Sequence, residues 1–399
     1  MNRHVAFEAW SAFEGGAHDG TSAAAGELRI AAPSRTREYD DPHRPTEHAG
    51  RFEEATWTSP EVTPGFGATE VIVSWNAETP PGTWLEVAVS ARLADGTDTG
   101  WRVLGRWAET DADIAPTSVG GQDDAVASVA VDTLQLSPGR PALSYRVRVA
   151  LLRRPGTPAT PVVRLLGATA SALPHDLPAA PPRPSRPSRP SAGTVIDVPS
   201  YSQQVHRGEY PEYDSGGQSW CSPTSVSMVL AHWGRGPAPA DYAWVDEGLK
   251  DRFVDHAARH CFDYLYRGAG NWAFNTAYAA RFGFRAFVTR LRGLDEAELF
   301  VAAGIPLVLS VAFAEDELDG AGYDTQGHLL VLVGIDEHGD VVCNDPASHG
   351  EASNDKVRTT YDRAQLERAW IRASGGVTYV IHPPDVALPT PPFPEEPNW

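Results

Sequence analysis

Residues 218–230, QSWCSPTSVSMVL, place a cysteine at the start of a predicted helix. Ser222 is predicted as the N-cap, and Pro223 suits the first helical position, where a missing N–H costs little. Aliphatic side chains follow at helical spacing, so the helix is expected to bury one face. A thiol at a helix N-terminus lies at the positive end of the helix dipole, which favours the nucleophilic thiolate. The stretch therefore predicts that Cys221 is a nucleophile.

The other two cysteines, Cys261 and Cys343, are predicted to be buried structural thiols. An odd, low number of cysteines provides no disulfide framework. Cys261 has only a helical histidine beside it, and Cys343 lies within an apolar strand. Cys221 is therefore the candidate for reactivity.

A nucleophilic thiol needs a base, and His328 is the candidate because it opens the apolar run 328–335. The next predicted strand returns through 341–344, and its end would bring Asp345 beside His328. A carboxylate there can accept a hydrogen bond from one imidazole nitrogen, which turns the other nitrogen toward the thiol. Neighbours on a strand point to opposite faces, so either Asp345 or Asn344 can serve, with Asp345 preferred. The order Cys, His, Asp is typical of papain-type cysteine peptidases.

Composition restricts the possible partners. The chain has 399 residues, enough for two domains, and a formal net charge of −19. Nucleic acids and anionic membranes need a basic footprint, so neither is an expected partner. No apolar run is long enough to span a bilayer, and no secretory signal is visible, which predicts a cytoplasmic protein by default.

Residues 51–175 predict an all-β domain, a sandwich or jelly roll. Period-2 alternation recurs between turn clusters, in the segments 68–75, 84–91, 144–151 and 161–166. Residues 1–50 show little periodicity and are predicted to be a loose lead-in. This half of the chain contains no evident catalytic set.

Five tryptophans of the β domain could form an exposed platform for a glycan or a peptide, namely Trp57, Trp75, Trp84, Trp101 and Trp107. The simpler interpretation is that most of them pack inside the domain.

Three segments complete the domain prediction. Residues 176–195 are rich in Pro, Ser and Arg and predict an extended, semi-rigid linker. Residues 196–384 show helical segments followed by strands, which is typical of an α+β domain. The predicted helices cover 242–266, 272–281, 295–303 and 361–370, and the predicted strands cover 284–288, 305–311, 328–335, 341–344 and 376–382. Residues 385–399 form a Pro-rich tail predicted to be unstructured.

Residues 196–384 resemble the C39-like (peptidase C39-type 2) family of papain-like cysteine peptidases. The motifs that carry the resemblance occur in the family's order: VPSYSQ at 198–203, WCSPTS at 220–225, GNWAFNTAY at 270–278, GIP at 304–306, GHL at 327–329 and NDP at 344–346. The resemblance implies a papain-like fold in which Cys221 is the nucleophile, His328 the general base and Asp345 the orienting residue.

The resemblance also implies a glutamine that donates to the oxyanion. Gln203, in the YSQ motif, is preferred, and Gln218 is the alternative because it stands closer to the cysteine. Relatives often have glycine where this chain has Ser222. Relatives with a β-rich N-terminal region tend to be exported, which conflicts with the missing signal. The ABC-transporter branch that cuts after a double glycine is not matched, because no membrane span or nucleotide-binding segment is found.

Two further clusters are weaker candidates, and no metal or cofactor is predicted. His256 and His260 are spaced for one face of a helix, but a third metal ligand is not evident. Asp316, Asp319 and Asp324 lie in a Gly-rich loop without EF-hand spacing. Because this loop precedes His328, it could act as a lid or specificity wall.

The sequence thus favours a cysteine peptidase that hydrolyses peptide or isopeptide bonds in a peptide or protein substrate. Acyl transfer or amide hydrolysis by the same residues is the first alternative. The second is a non-catalytic protein that binds a glycan or peptide through its β-sandwich.

Overall fold

Two antiparallel β-sheets form the N-terminal half of the chain in the computed structural model, which describes residues 4–44, 50–173 and 191–399. The strands are β1 (His4–Trp10), β2 (Ala17–Asp19), β3 (Thr21–Ala24), β4 (Glu27–Ile30), β5 (Arg35–Tyr39), β6 (Gly50–Thr58), β7 (Glu70–Glu78), β8 (Thr83–Leu93), β9 (Arg102–Trp107), β10 (Ala127–Ala130), β11 (Thr133–Leu136), β12 (Ala142–Arg153) and β13 (Val162–Ala172). One sheet runs in the order β10-β11-β7-β13-β4-β3, with β1 also paired to β13. The other runs β2-β6-β12-β8-β9, with β5 also paired to β6.

The two sheets face each other across one apolar core. On β7, Val71, Val73 and Trp75 are fully buried and belong to the same cluster as Val87 and Val89 of β8. Alternation with period 2 on long strands places these side chains on the inner faces, as in a β-sandwich. The prediction of a β-rich N-terminal domain is confirmed.

The loose lead-in predicted for residues 1–50 is wrong over the described part of that segment. β1 pairs with β13 from His4↔Ala172 to Trp10↔Leu166, and β2 and β5 both pair with β6. β2 and β5 are short and rich in small or charged residues, and β1 (HVAFEAW) has only one buried residue, Val5. They are held by backbone pairing with long strands, so no hydrophobic alternation marks them in the sequence.

Most of the five tryptophans pack in the core of the β domain. Four of the five are fully buried, namely Trp57, Trp75, Trp84 and Trp107. Trp101 is half-buried, and the guanidinium carbon of Arg148 lies 4.3 Å from its ring centroid. These four rings therefore offer no exposed platform.

The C-terminal half combines one antiparallel sheet with helices. Its strands are β14 (Thr194–Val195), β15 (Arg285–Arg290), β16 (Leu307–Phe313), β17 (Thr325–Ile335), β18 (Val341–Asn344), β19 (Arg358–Tyr361) and β20 (Val377–His382). Its helices are α1 (Cys221–His232), α2 (Phe253–Cys261), α3 (Trp272–Ala280), α4 (Leu294–Ala302) and α5 (Arg363–Ser374). The sheet order is β15-β20-β16-β17-β18-β19, with β14 also paired to β17. None of the helices in the described ranges has the length and apolarity needed to cross a membrane.

Two predicted helices have different bounds. Of the helix predicted for 242–266, only Phe253–Cys261 is helical. Asp246 accepts a hydrogen bond from the Gly248 backbone N–H at 2.8 Å, and such local bonding competes with helix formation. The helix predicted from residue 361 begins at Arg363, because the Asp362 side chain caps it by accepting from Gln365 N at 2.9 Å.

The tail 385–399, predicted to be unstructured, is packed against both halves. Phe7 N donates to Pro397 O at 2.8 Å, and the fully buried Asn398 donates to Arg290 O at 2.8 Å. The Trp399 ring lies edge-on to Phe300, with 4.9 Å between the ring centroids. Proline removes backbone donors but leaves carbonyls and flanking side chains free to bond, so this tail is ordered without being helical or stranded.

The linker predicted for 176–195 lies largely outside the described residues. Its final residues are described, and there Thr194 and Val195 pair with β17, so this end is a short strand and not a free linker.

The two halves meet where β15 forms an edge of the C-terminal sheet. The outward backbone groups of β15 are bonded by polar side chains of the sandwich. Asn76 donates to Ala286 O at 2.6 Å and accepts from Ala286 N at 3.2 Å. Ser74 Oγ accepts from Val288 N at 3.1 Å, and Thr169 Oγ1 donates to Val288 O at 2.8 Å. Side chains thus satisfy an edge that would otherwise present unpaired backbone groups.

The polar residues of β7 are buried because they lie on its outer face, which contacts the C-terminal half. Glu70, Ile72, Ser74 and Asn76 alternate with the core residues and point at the C-terminal half. Glu70 pairs with the buried Arg290, and Ile72 belongs to a hydrophobic cluster of the C-terminal half. The polar positions of this strand are therefore interface residues and not a solvent face.

Replacing Asn76 by alanine should destabilise the whole chain by about 1–3 kcal/mol, because it leaves the Ala286 N–H and C=O buried without partners. Chemical denaturation measures the free energy of unfolding. Glu337→Ala, at the exposed turn between β17 and β18, is the control and should change it by less than about 0.5 kcal/mol. An Asn76→Ala variant as stable as this control would contradict the role given to the side chain.

Candidate active site

Cys221 is the first residue of α1. Trp220 occupies the cap position without a side-chain capping bond, so the prediction that Ser222 is the N-cap is wrong. The Ser222 hydroxyl lies inside the helix, 3.0 Å from the Tyr379 hydroxyl. Pro223 is the third helical residue, where its missing N–H is again no loss. Residues 221–230 are all buried, so the rest of the domain holds this helix on every side.

His328 and Asp345 lie on neighbouring strands of the sheet beneath this helix. β17 begins three residues before His328, at Thr325, and pairs with β18, after which Asp345 follows directly. His328 Nε2 lies 2.8 Å from Asp345 Oδ1, and both side chains are buried. The expected juxtaposition of this histidine and this carboxylate is present.

Asp345 is bound by more donors than the sequence indicates. The hydroxyls of Tyr323 and Tyr361 each donate to Oδ2 at 2.6 Å, and Ala347 N donates to Oδ1 at 2.9 Å. Burial alone would raise the pKa of Asp345, but the charge of His328 and these hydroxyl donors lower it to about 2. The carboxylate is therefore held ionised in a buried place.

The two tyrosines were not found by sequence analysis. Tyr361 reaches Asp345 because β19 pairs with β18, and Tyr323 reaches it from the loop before β17. Neither position carries a local motif. Only the pairing of β18 with β19 could have pointed to Tyr361.

The remaining imidazole nitrogen of His328 serves Cys221. With Nε2 on Asp345, Nδ1 is left for Cys221, which is one of the groups that raise the pKa of His328. Burial lowers the pKa of His328, but the Asp345 charge, its hydrogen bond and the Cys221 contact outweigh burial and raise the pKa to about 10. The structure thus brings together the three residues selected from the sequence.

The other two thiols lie in different surroundings. Cys261 on α2 and Cys343 on β18 are fully buried, and burial raises the pKa of each thiol. The groups that act on these pKa values besides burial are Arg281 for Cys261, and Asp345 and Arg358 for Cys343. Their environments favour the neutral, unreactive thiol.

Asn344 points away from His328. Its Nδ2 donates to the backbone oxygens of Val198 at 3.2 Å and Pro199 at 3.0 Å. It ties the first segment of the domain to β18, and Asp345 takes the position beside the imidazole.

Gln203 lies in a 3-10 turn, Gln203–His206, at the wall of the cleft that contains Cys221. Its backbone N–H donates to Pro346 O at 2.9 Å, and its Nε2 donates to Gln218 O at 2.6 Å. Each amide nitrogen carries two hydrogens, so the second stays available to another acceptor. The Gln218 side chain is exposed and donates to Ser215 O at 2.6 Å.

The cleft around Cys221 has a volume of about 1420 Å³ and is lined by both halves of the chain. The C-terminal half contributes Gln203, Cys221 and His328, and the loop before β17 contributes Tyr323 and Asp324. The β10–β11 hairpin of the sandwich contributes several of the residues between 127 and 136. At its tip, Asp132 Oδ2 accepts from Trp272 N at 2.7 Å, which fixes the hairpin to α3.

The two weaker metal candidates do not assemble. His256 Nδ1 bonds the Tyr278 hydroxyl at 2.9 Å, and His260 Nδ1 bonds Glu109 O at 2.7 Å. Burial lowers the pKa of both imidazoles. Within the described ranges, neither these histidines nor the aspartates at 316, 319 and 324 belong to a group of three metal ligands.

Comparisons with known proteins agree with the division into two halves. Residues 3–171 match the family model described as the peptidase C39 N-terminal domain, and residues 195–377 match that of the peptidase C39-like family. No curated protein matches the chain.

Two solved structures are similar over part of the chain. A Bacillus anthracis protein assigned as a C39-like peptidase is 17% identical, with a TM-score of 0.28 over 47% of this chain and 97% of its own. The laminarinase from Rhodothermus marinus is 11% identical, with a TM-score of 0.21 over 43% of this chain and 91% of its own. Scores this low add nothing to the description of the fold.

Replacing Asp345 by asparagine should lower the pKa of His328, because it removes the negative charge that stabilises the imidazolium. The titration midpoint should fall by about 1–3 pH units. NMR of the labelled imidazole carbons measures it in both proteins, and the exposed His338 is an internal control whose signal should be the same in both. An unchanged midpoint for His328 would mean that Asp345 does not set its charge.

Proposed function

From the match of residues 195–377 to the peptidase C39-like family model, we propose that this protein is a papain-type cysteine peptidase that hydrolyses peptide or isopeptide bonds. One observation carries the proposal: the buried His328 is hydrogen-bonded to the buried carboxylate of Asp345 and lines the same cleft as Cys221. A thiol, a base and an orienting group within hydrogen-bond reach are the signature of an activated nucleophile.

The proposed reaction begins with attack of Cys221 Sγ on the substrate carbonyl. His328 holds the thiol proton as imidazolium and passes it to the leaving amine, which departs and leaves a thioester on Cys221. His328 then takes a proton from water, and the hydroxide attacks the thioester to release the acid and restore the thiol. Asp345 stays ionised throughout and stabilises the imidazolium.

The oxyanion of each tetrahedral intermediate needs preorganised donors. The backbone N–H of Cys221, at the start of α1, has no partner in its own helix and is one donor. The Gln203 amide is the other, since its Nε2 has a hydrogen beyond the one given to Gln218 O. The Gln203 backbone bond to Pro346 O links this donor to the residue after Asp345.

A papain-like arrangement is the interpretation we give to the C-terminal fold. A buried helix carries the nucleophile, and an antiparallel sheet carries the base and the carboxylate on adjacent strands. The two elements meet at the cleft, with α1 in contact with β17 through the Ser225 hydroxyl, which donates to Leu329 O at 3.0 Å.

The size and lining of the cleft favour an extended substrate. A cavity of about 1420 Å³ is larger than a typical small-molecule pocket, and it continues from Cys221 to the β10–β11 hairpin. We therefore assign the sandwich a part in substrate selection, as one wall of the peptide groove.

A peptide library incubated with the wild-type chain and with Cys221→Ala tests the activity. Wild type should produce cleaved peptides, and the alanine variant should reduce cleavage to background because no nucleophile remains. A thiol-reactive electrophile should label Cys221 in preference to Cys261 and Cys343, since burial keeps those thiols neutral.

Three results would contradict this proposal. Cleavage that survives in Cys221→Ala would exclude Cys221 as the nucleophile. Equal labelling of all three cysteines in the folded protein would exclude its activation. Products that carry an added amine in place of the free acid would show acyl transfer instead of hydrolysis.

Gln203→Ala should lower kcat by about a hundredfold or more with a smaller change in KM, because an oxyanion donor acts mainly in the transition state. Gln218→Ala is the matched control: it removes the same side chain from the same cleft but keeps the backbone oxygen that Gln203 bonds. A larger loss in Gln218→Ala than in Gln203→Ala would reverse the assignment.

A further inference from the structure

Three side chains of metal-ligand type meet on the far side of the Gln203–His206 turn. His206 Nδ1 lies 2.8 Å from Glu209 Oε2 and 3.3 Å from Asp255 Oδ2. One ligand atom from each residue fits within a group in which all separations are at most 4.8 Å. Asp255 comes from α2, so the cluster joins two elements that are distant in sequence.

The cluster carries more negative than positive charge in a buried place. The side chains of His206 and Asp255 are 0% exposed, and that of Glu209 is 15% exposed. One imidazolium can balance only one of the two carboxylates. Excess charge of this kind is costly unless a cation or a proton compensates it.

Asp255 is also without the hydrogen bonds that a buried carboxylate requires. Apart from the contact with His206 Nδ1 at 3.3 Å, neither Oδ1 nor Oδ2 has a hydrogen-bond donor among the described residues, although the whole side chain is inaccessible to solvent. Buried polar atoms are satisfied in the great majority of cases, so a buried carboxylate with so few donors calls for a further partner, such as a cation. By contrast, the equally buried Asp345 accepts from three donors besides His328.

We propose that His206, Glu209 and Asp255 bind a divalent cation of the zinc class. One imidazole nitrogen and two carboxylate oxygens suit zinc and related first-row ions, whereas calcium and magnesium prefer oxygen ligands alone. Bonds of about 2.0–2.2 Å place tetrahedral ligand atoms about 3.4 Å apart. The His206–Asp255 separation already has this value, and the His206–Glu209 separation needs to open by about half an ångström.

Three protein ligands leave the fourth position of the cation to water or another small ligand. The partial exposure of Glu209 marks the side from which the cation enters. The site itself is separate from the proposed chemistry at Cys221. Its effect is structural, because His206 ends the turn that begins with Gln203, and its ring lies 5.9 Å from that of Trp220, the residue before Cys221.

Zinc titration of the full chain carrying Cys221→Ala tests the site, since that background removes the thiol that would itself bind zinc. After treatment with a chelator, the chain should bind one equivalent of Zn²⁺ and unfold at a temperature several degrees higher with the metal. Adding Asp255→Asn should weaken binding at least about tenfold and abolish the rise in unfolding temperature.

Glu212→Gln is the matched control for this experiment, because it removes an exposed charge from the same segment without touching the cluster. It should bind zinc as the parent does. Should Asp255→Asn fail to fold, Glu209→Gln, which is partly exposed, tests the same prediction. Absence of a stoichiometric zinc complex, equal affinity in the Asp255→Asn or Glu209→Gln variant, or loss of binding in His260→Gln instead would each overturn the proposal.

Discussion

The two-part architecture depends on how the outward backbone groups of the edge strand β15 are satisfied. A sheet edge normally needs another strand, but here Ser74, Asn76 and Thr169 bond its outward N–H and C=O groups through their side chains. These side chains take the place of a further strand at the edge of the sheet, and they fix the orientation of the two halves. That orientation brings the β10–β11 hairpin to the cleft, so the cleft depends on an interface far from Cys221.

Local patterns in the sequence were sufficient for the central residues of the site. Cys221 stands at a helix start, His328 heads an apolar run, and Asp345 follows a short returning strand. Each pattern depends on residues close in sequence, and the hairpin connection fixes how His328 and Asp345 meet. The N-cap was misplaced by two residues, since Trp220 is the cap and the Ser222 hydroxyl contacts Tyr379 inside the helix.

Features that depend on distant pairing could not be predicted. β1, the tail at 396–399 and the hydroxyls of Tyr323 and Tyr361 find their partners only in the folded chain. The alternation of β7 was visible, but the sequence does not show that its polar face contacts the other half of the protein. The cluster at His206 was missed for the same reason: His206 and Glu209 are near in sequence, but Asp255 lies on α2.

The bond from Tyr323 to Asp345 joins the border of the cleft to the catalytic carboxylate of the proposed mechanism. Tyr323 belongs to the loop that borders the cleft, and its hydroxyl supports the charge of the carboxylate that faces His328. Withdrawal of this loop would widen the entrance and, in the same motion, deprive Asp345 of a donor. The Tyr323 hydroxyl thereby links the opening of the cleft to the proton affinity of the His328 imidazole. Asp345 has all of its donors only when the loop that carries Tyr323 borders the cleft.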